Sequence, residues 1–237
     1  MSNPAFSDKV FKRVDAVIVD SSPMTVQGTI NKTGILLLLV VAGASLGWNA
    51  QSGGLLIGAL LVSCILSIAI IMGPQRASYL SPVYAVFEGV LLGAISSFYA
   101  VQYPGIVSNA LILTLSCLFL TLVLFRFKIV QVTDKFRSVI MISTMSICLT
   151  YVVDLVMGFF GSGIPMIHQS SALGIGFSLV VVVVAAMNLF LDFDMVEKAQ
   201  ARGAPKFMEW YCGFALLVTL VWLYLEILRL LSKLNKK

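Results

Sequence analysis

The sequence predicts an all-α membrane protein, a bundle of seven transmembrane helices, on three observations. The first is composition: 59% of the residues are hydrophobic, 11% are charged, and the mean hydropathy is +0.99. A soluble core built from 237 residues cannot hide that much apolar surface, so lipid is the solvent. The second is segmentation into seven apolar stretches near the length of about 20 residues that a helix needs to cross hydrocarbon. The third is the placing of Lys and Arg, which collect between alternate stretches.

The stretches are taken in order. Residues 33–50 form the first and most interrupted one, with Gly43 and Gly47 at GxxxG spacing; 54–73 follow. The third, 82–101, repeats a small-xxx-small pattern at Gly89, Gly93 and Ser97 and carries Glu88 about two turns in. Small residues let helix backbones approach closely, so both patterns read as packing faces. The fourth is 106–125. The fifth, 138–160, spaces Ser143, Ser146, Thr150 and Asp154 by three, four and four residues, which puts them on one helical face. That face is expected to point into the bundle or a hydrated cavity; the structural alternative is that the hydroxyls bond their own helix backbone. The sixth, 172–193, is uncharged until Asp192-Phe193-Asp194. The seventh, 208–231, holds Glu226 and Arg229, so it is expected to be the span most enclosed by protein. Short connections favour one compact bundle over residues 30–234, preceded by a polar tail, 1–29, which is too charged to be a signal peptide. Within the tail, Phe6, Val10, Val14, Val17 and Ile18 recur at helical spacing beside Lys9, Lys12 and Arg13. The segment reads either as an amphipathic helix on the inner leaflet or as a mobile tail.

The basic residues set the orientation. Lys9, Lys12, Arg13 and Lys32 precede or open the first stretch. Arg76 follows the second, Arg126, Lys128, Lys135 and Arg137 the fourth, and Lys198, Arg202 and Lys206 the sixth. The loops after stretches one, three and five contain no Lys or Arg. The positive-inside rule then makes the N-terminus and the even loops cytoplasmic. Lys233, Lys236 and Lys237 violate it: either the C-terminal tail is tolerated outside, or the last stretch is re-entrant. Seven full crossings are the preferred reading.

Several function classes are excluded. The net charge of +5 is explained by the loops, and no basic groove interleaved with aromatics points to nucleic acid. Cys64, Cys117, Cys148 and Cys212 lie inside apolar runs with no CxxC, so they read as buried small hydrophobes and not as a disulfide framework or metal site. There is no HExxH, GxSxG or calcium-loop motif, and His168 is a lone histidine in a short outer loop. An enzyme is not expected, and no cofactor.

What remains is a set of acids in an apolar setting: Asp192, Asp194, Glu88, Asp154 and Glu226. An ionised carboxylate at a helix centre costs about 2.5–3.5 kcal/mol on insertion scales, so acids kept there are expected to bind a cation, carry a proton or lock a gate. Asp192 and Asp194 are two residues apart and point in nearly opposite directions, so only one is expected to face inward. That one has Arg76 as a candidate cationic latch, or Glu226 as a carboxylate with which to share a proton. Glu226 has its own alternative, an intrahelical pair with Arg229.

Three segments resemble the Bax inhibitor 1 (transmembrane Bax inhibitor motif) family in its bacterial branch. They are Ser81-Pro-Val-Tyr-Ala-Val-Phe-Glu-Gly-Val-Leu-Leu-Gly-Ala-Ile-Ser96, Phe193-Asp-Met-Val-Glu-Lys-Ala199, and Tyr211 through Leu231 with its Tyr-Leu-Glu-Ile-Leu-Arg ending. The resemblance implies six helices around a central seventh, in a multi-pass protein of the bacterial inner membrane. It also implies a pH-dependent calcium or cation leak gated by one acid each in helices six and seven. Asp194 matches the first by its Phe-Asp context; at the second, Glu226 stands where relatives carry Asp, and further from Asp194 in sequence. Some bacterial relatives are associated with quality-control membrane proteases. That association gives a second reading: a non-transporting modulator that binds a membrane protease or another membrane complex.

Overall fold

The computed structural model describes residues 22–49, 53–161 and 163–236. The tail segment 6–18 lies outside them. Among the described residues the chain is helical, with α1 Val26–Trp48, α2 Gly53–Met72, α3 Ala77–Gln102, α4 Ile106–Arg126, α5 Asp134–Phe159, α6 Ala172–Ala201 and α7 Met208–Asn235. Six of these are long and apolar enough to cross a membrane, and α2 adds a shorter apolar helix. The seven expected stretches all appear, mostly extended into the polar flanks. α6 runs past its expected end at 193 to Ala201, and the other notable difference is α1, expected to start at residue 33. It begins at Val26, where Thr25 caps it by accepting a hydrogen bond from the Gly28 N–H. Lys32 therefore belongs to the first helix and not to the tail.

Contacts group the chain into two units, and α6 and α7 each contribute a segment to both. The first contains the described residues through 101 together with 192–218; the second contains 102–191 and the residues from 219 onward. In the first unit α1 and α3 meet along their glycines. A Cβ on Gly43 or Gly47 would collide with the backbone at Val86 or Val90, and one on Gly89 or Gly93 with that at Val40 or Ala44. The two small-residue patterns are thus two sides of one contact. With lipid as solvent there is little hydrophobic drive between helices, so close backbone approach supplies the attraction. Tyr84 of α3 then packs edge-on against Phe214 of α7, ring centroids 4.9 Å apart.

The second unit has its apolar centre at Ile147, Val181 and Val184, flanked by Tyr151, Phe177 and Trp222. α5 thus packs through Ile140, Ile147 and Tyr151, together with Thr144, which accepts a 2.8 Å hydrogen bond from the Asn188 amide. This corrects the expected inward face. Ser146 is exposed, Ser143 and Thr150 are only half-buried, and Thr150 donates to its own helix at Ser146. The physical reason is that a Ser or Thr hydroxyl can satisfy itself against the turn below, whereas Ile and Tyr gain packing only by turning inward. The cysteines are free, as expected, but only Cys212 is buried; Cys64 and Cys148 lie on exposed faces, where lipid solvates a small apolar thiol equally well.

Candidate functional site

α7 is the most buried of the long spans, and it carries charge at three depths. At its start in the first unit is Glu209, a residue that sequence reasoning did not single out. Its carboxylate accepts from the Thr25 N–H at 2.9 Å and the Thr25 hydroxyl at 3.0 Å, and forms an ion pair with Lys32. Lys32 also sits over the Trp210 ring, 5.7 Å from its centroid. A Cβ on Gly28 would collide with the Glu209 carboxylate, so glycine at 28 leaves the acid its place. Beside this cluster the chain entering α1 pairs with the α6–α7 connection: the Met24 N–H donates to the Ala204 carbonyl at 2.8 Å, and Pro23 bridges Pro205. A carboxylate in a first helical turn is also favoured by the helix dipole.

In the second unit α7 carries Glu226, 2% exposed. The Tyr151 hydroxyl donates to its Oε1 at 2.9 Å, and Arg229 donates to both carboxylate oxygens at 3.0 and 3.1 Å. Arg229 also donates to the Tyr151 oxygen at 2.7 Å and lies over that ring, 5.0 Å from its centroid. One turn further on is Lys233, 4% exposed, whose ammonium donates to the Gly174 carbonyl at 2.9 Å and the Ser178 hydroxyl at 2.8 Å. Lys233 is therefore an internal cation of the span and not part of a charged tail. The signal for both missed residues was their register. Glu209 and Lys233 each fall within one turn of the ends of the last apolar run, so they stay helical and must find partners inside the protein.

The remaining expected site residues fall as follows. Asp192, in the first unit, is 1% exposed and within electrostatic reach of Cys212. Asp194 is turned to the opposite side, where Lys198 donates to it at 2.7 Å across one helical turn. The two aspartates diverge as helix geometry requires, and Asp192 is the deeper. Glu88 lies against the hydroxyls of Tyr84 and Ser63. Arg76 is exposed at the end of the 3-10 turn Pro74–Arg76, and among the described residues it forms no ion pair with either aspartate. Asp154 stands near the end of α5 and holds the following loop: its Oδ1 accepts from the Ile164 N–H at 2.7 Å, and both oxygens lie within 3.0 Å of His168 Nε2. The structure joins Glu226 to Tyr151 and Arg229, and Asp154 to His168. Asp194 and Glu226 fall in different units.

Chemically, each buried acid of α7 is closed by a cation and by hydroxyl donors, which is what makes an ion tolerable away from water. Such a closure opens in one simple way: protonation of the carboxylate removes the charge that holds the cation. No group of three or more potential metal-ligating side chains occurs among the described residues.

None of the curated proteins compared with the chain matches it significantly. A family model described as Bax inhibitor 1 like matches residues 3–236. The chain is a multi-pass membrane protein that belongs to the Bax inhibitor 1 like family.

Proposed function

We propose that the protein is a proton-controlled cation leak of the bacterial inner membrane, calcium being the cation that the family resemblance implies, and that it is not an enzyme. The observation that carries this reading is the closure of Glu226 by Arg229 and Tyr151. A carboxylate within a span is the group on which a dehydrating cation would rest, and here a guanidinium occupies both of its oxygens. Protonation of Glu226 releases Arg229, and the leak opens as the pH falls. Asp192 is the second candidate, being the deeper of the α6 aspartates, and Asp194, with its exposed lysine partner, is the one that family context favours. The N-terminus is cytoplasmic in this reading, because the basic loops fall on its side.

Calcium and monovalent cation flux from proteoliposomes, measured from pH 8 down through the ordinary carboxylate range, tests the proposal. Wild type gains flux on acidification, and Glu226→Gln, which cannot hold Arg229 by charge, loses most of that pH dependence while staying folded. Asp192→Asn and Asp194→Asn in the same assay show which α6 acid takes part. Unchanged pH dependence in folded Glu226→Gln overturns the gate and leaves the protease-modulator reading in its place.

A further inference from the structure

The loop between α5 and α6 carries the only histidine of the chain, and the mechanism above does not use it. His168 is 61% exposed on its side chain, while the Asp154 side chain it contacts is 14% exposed. Nε2 faces both carboxylate oxygens, at 2.9 and 3.0 Å. The Ile164 N–H donates to the same carboxylate, so the loop is fastened at two points four residues apart. Just before them Gly163 lies close to both partners: a Cβ there would stand 3.0 Å from the imidazole, a tight contact, and 3.4 Å from the carboxylate. The helical turn Pro165–His168 directs His168 at Asp154 and tucks Ile167 under the loop at 3% exposure. The other charged group within electrostatic reach of Asp154 is Arg229 of α7, and Arg229 is engaged by Glu226 and Tyr151. Asp154 thus serves as the common acceptor for the loop.

We infer that Asp154 and His168 form a proton-dependent clamp that holds the α5–α6 loop down on the side where the basic-residue asymmetry places the exterior. Imidazole is the side chain whose ordinary titration falls between pH 5 and 8, and an exposed one follows the pH of its own compartment. Neutral His168, with its proton on Nε2, can donate to the Asp154 carboxylate. Charged His168 adds the attraction of an ion pair to that hydrogen bond, worth up to about 1 kcal/mol at an exposed position. The clamp therefore tightens as the external pH falls. It rests on the loop geometry and not on the cation-leak reading.

Alkylation of a single thiol reads the clamp directly. Ile167→Cys, in a background without the four native cysteines, places a thiol under the loop, where a membrane-impermeant maleimide reaches it only when the loop lifts. The same thiol in a His168→Gln protein cancels the intrinsic pH dependence of thiol reactivity. The rate ratio of the His168 protein to the His168→Gln protein is expected to fall about five-fold between pH 8 and pH 5.5, the gain from turning the hydrogen bond into an exposed ion pair. Asp154→Asn keeps the polar contacts but removes the charge, and should flatten the ratio. A ratio independent of pH in the protein that retains both Asp154 and His168 overturns the clamp. So does an unchanged five-fold fall in Asp154→Asn. Neither result bears on flux, which separates failure of the clamp from failure of the leak.

Discussion

Lys233 shows how a charge is accommodated inside a span. The residue is 4% exposed, and its ammonium donates to a backbone carbonyl and to a buried serine hydroxyl. Removing one acceptor while keeping the cation takes a hydrogen bond from a charged group, whereas removing the cation leaves a carbonyl and a hydroxyl that the helix itself can serve. Ser178→Ala is therefore expected to cost about 1–3 kcal/mol, and Lys233→Met, similar in length and apolar, less than that. Thermal unfolding in detergent checks the order. A larger loss in Lys233→Met would show that the ammonium is bound for its own stabilising effect and not merely tolerated. The same residue marks a limit of sequence reading. A lysine four places from a C-terminal end looks like a tail, and only the continuation of α7 to Asn235 turns it inward. Glu226 and Arg229 were legible as an i,i+3 pair, but Tyr151, the third member, comes from another helix and has no signal in local spacing.

At the scale of elements, the helix-forming stretches were legible because the period and length of an apolar span are local properties. Which face of a span turns inward was legible only where sterics decide it. Gly43, Gly47, Gly89 and Gly93 advertise a close contact, and the structure places α1 against α3 through them. The hydroxyl stripe of α5 misled, since Ser143, Ser146 and Thr150 do not depend on a neighbouring helix for hydrogen bonds. Gly89→Ala or Gly93→Ala forces a methyl group into the facing backbone, which must shift, and overpacking of this kind costs about 1–3 kcal/mol. Gly58→Ala, on α2, adds a methyl group where no atom lies within 4 Å and is expected to leave stability unchanged or slightly raised. Unfolding midpoints of the three variants in one detergent test the contrast. Equal effects at positions 58 and 93 would refute glycine packing as the basis of the α1–α3 contact.

For the whole molecule, the path of α7 decides the topology. A helix of 28 residues spans about 42 Å, more than the roughly 30 Å of a hydrocarbon core, and α7 is unbroken from Met208 to Asn235. A full crossing is therefore the prediction for α7, with its two ends expected on opposite faces of the membrane. In the first unit its beginning is tied to the entry of α1 through Glu209, Thr25 and Lys32. In the second its end is tied to the beginning of α6 through Lys233 and Gly174. A full crossing by α7 predicts that the N-terminal entry and the C-terminal end face opposite compartments. The positive-inside conflict at the C-terminus also shrinks, since Lys233 is consumed within the helix and only Lys236 and Lys237 follow it. Single cysteines at Asn49, Gln102, Gln169 and Lys236 should react with an impermeant maleimide from outside intact cells. Those at Lys128 and Arg202 should react only after permeabilisation. Reaction of the Lys236 position with the second group would show the C-terminus inside and deny α7 its crossing, whatever the other five report. Reversal of all six would keep the seven crossings and invert the molecule, making its basic loops external.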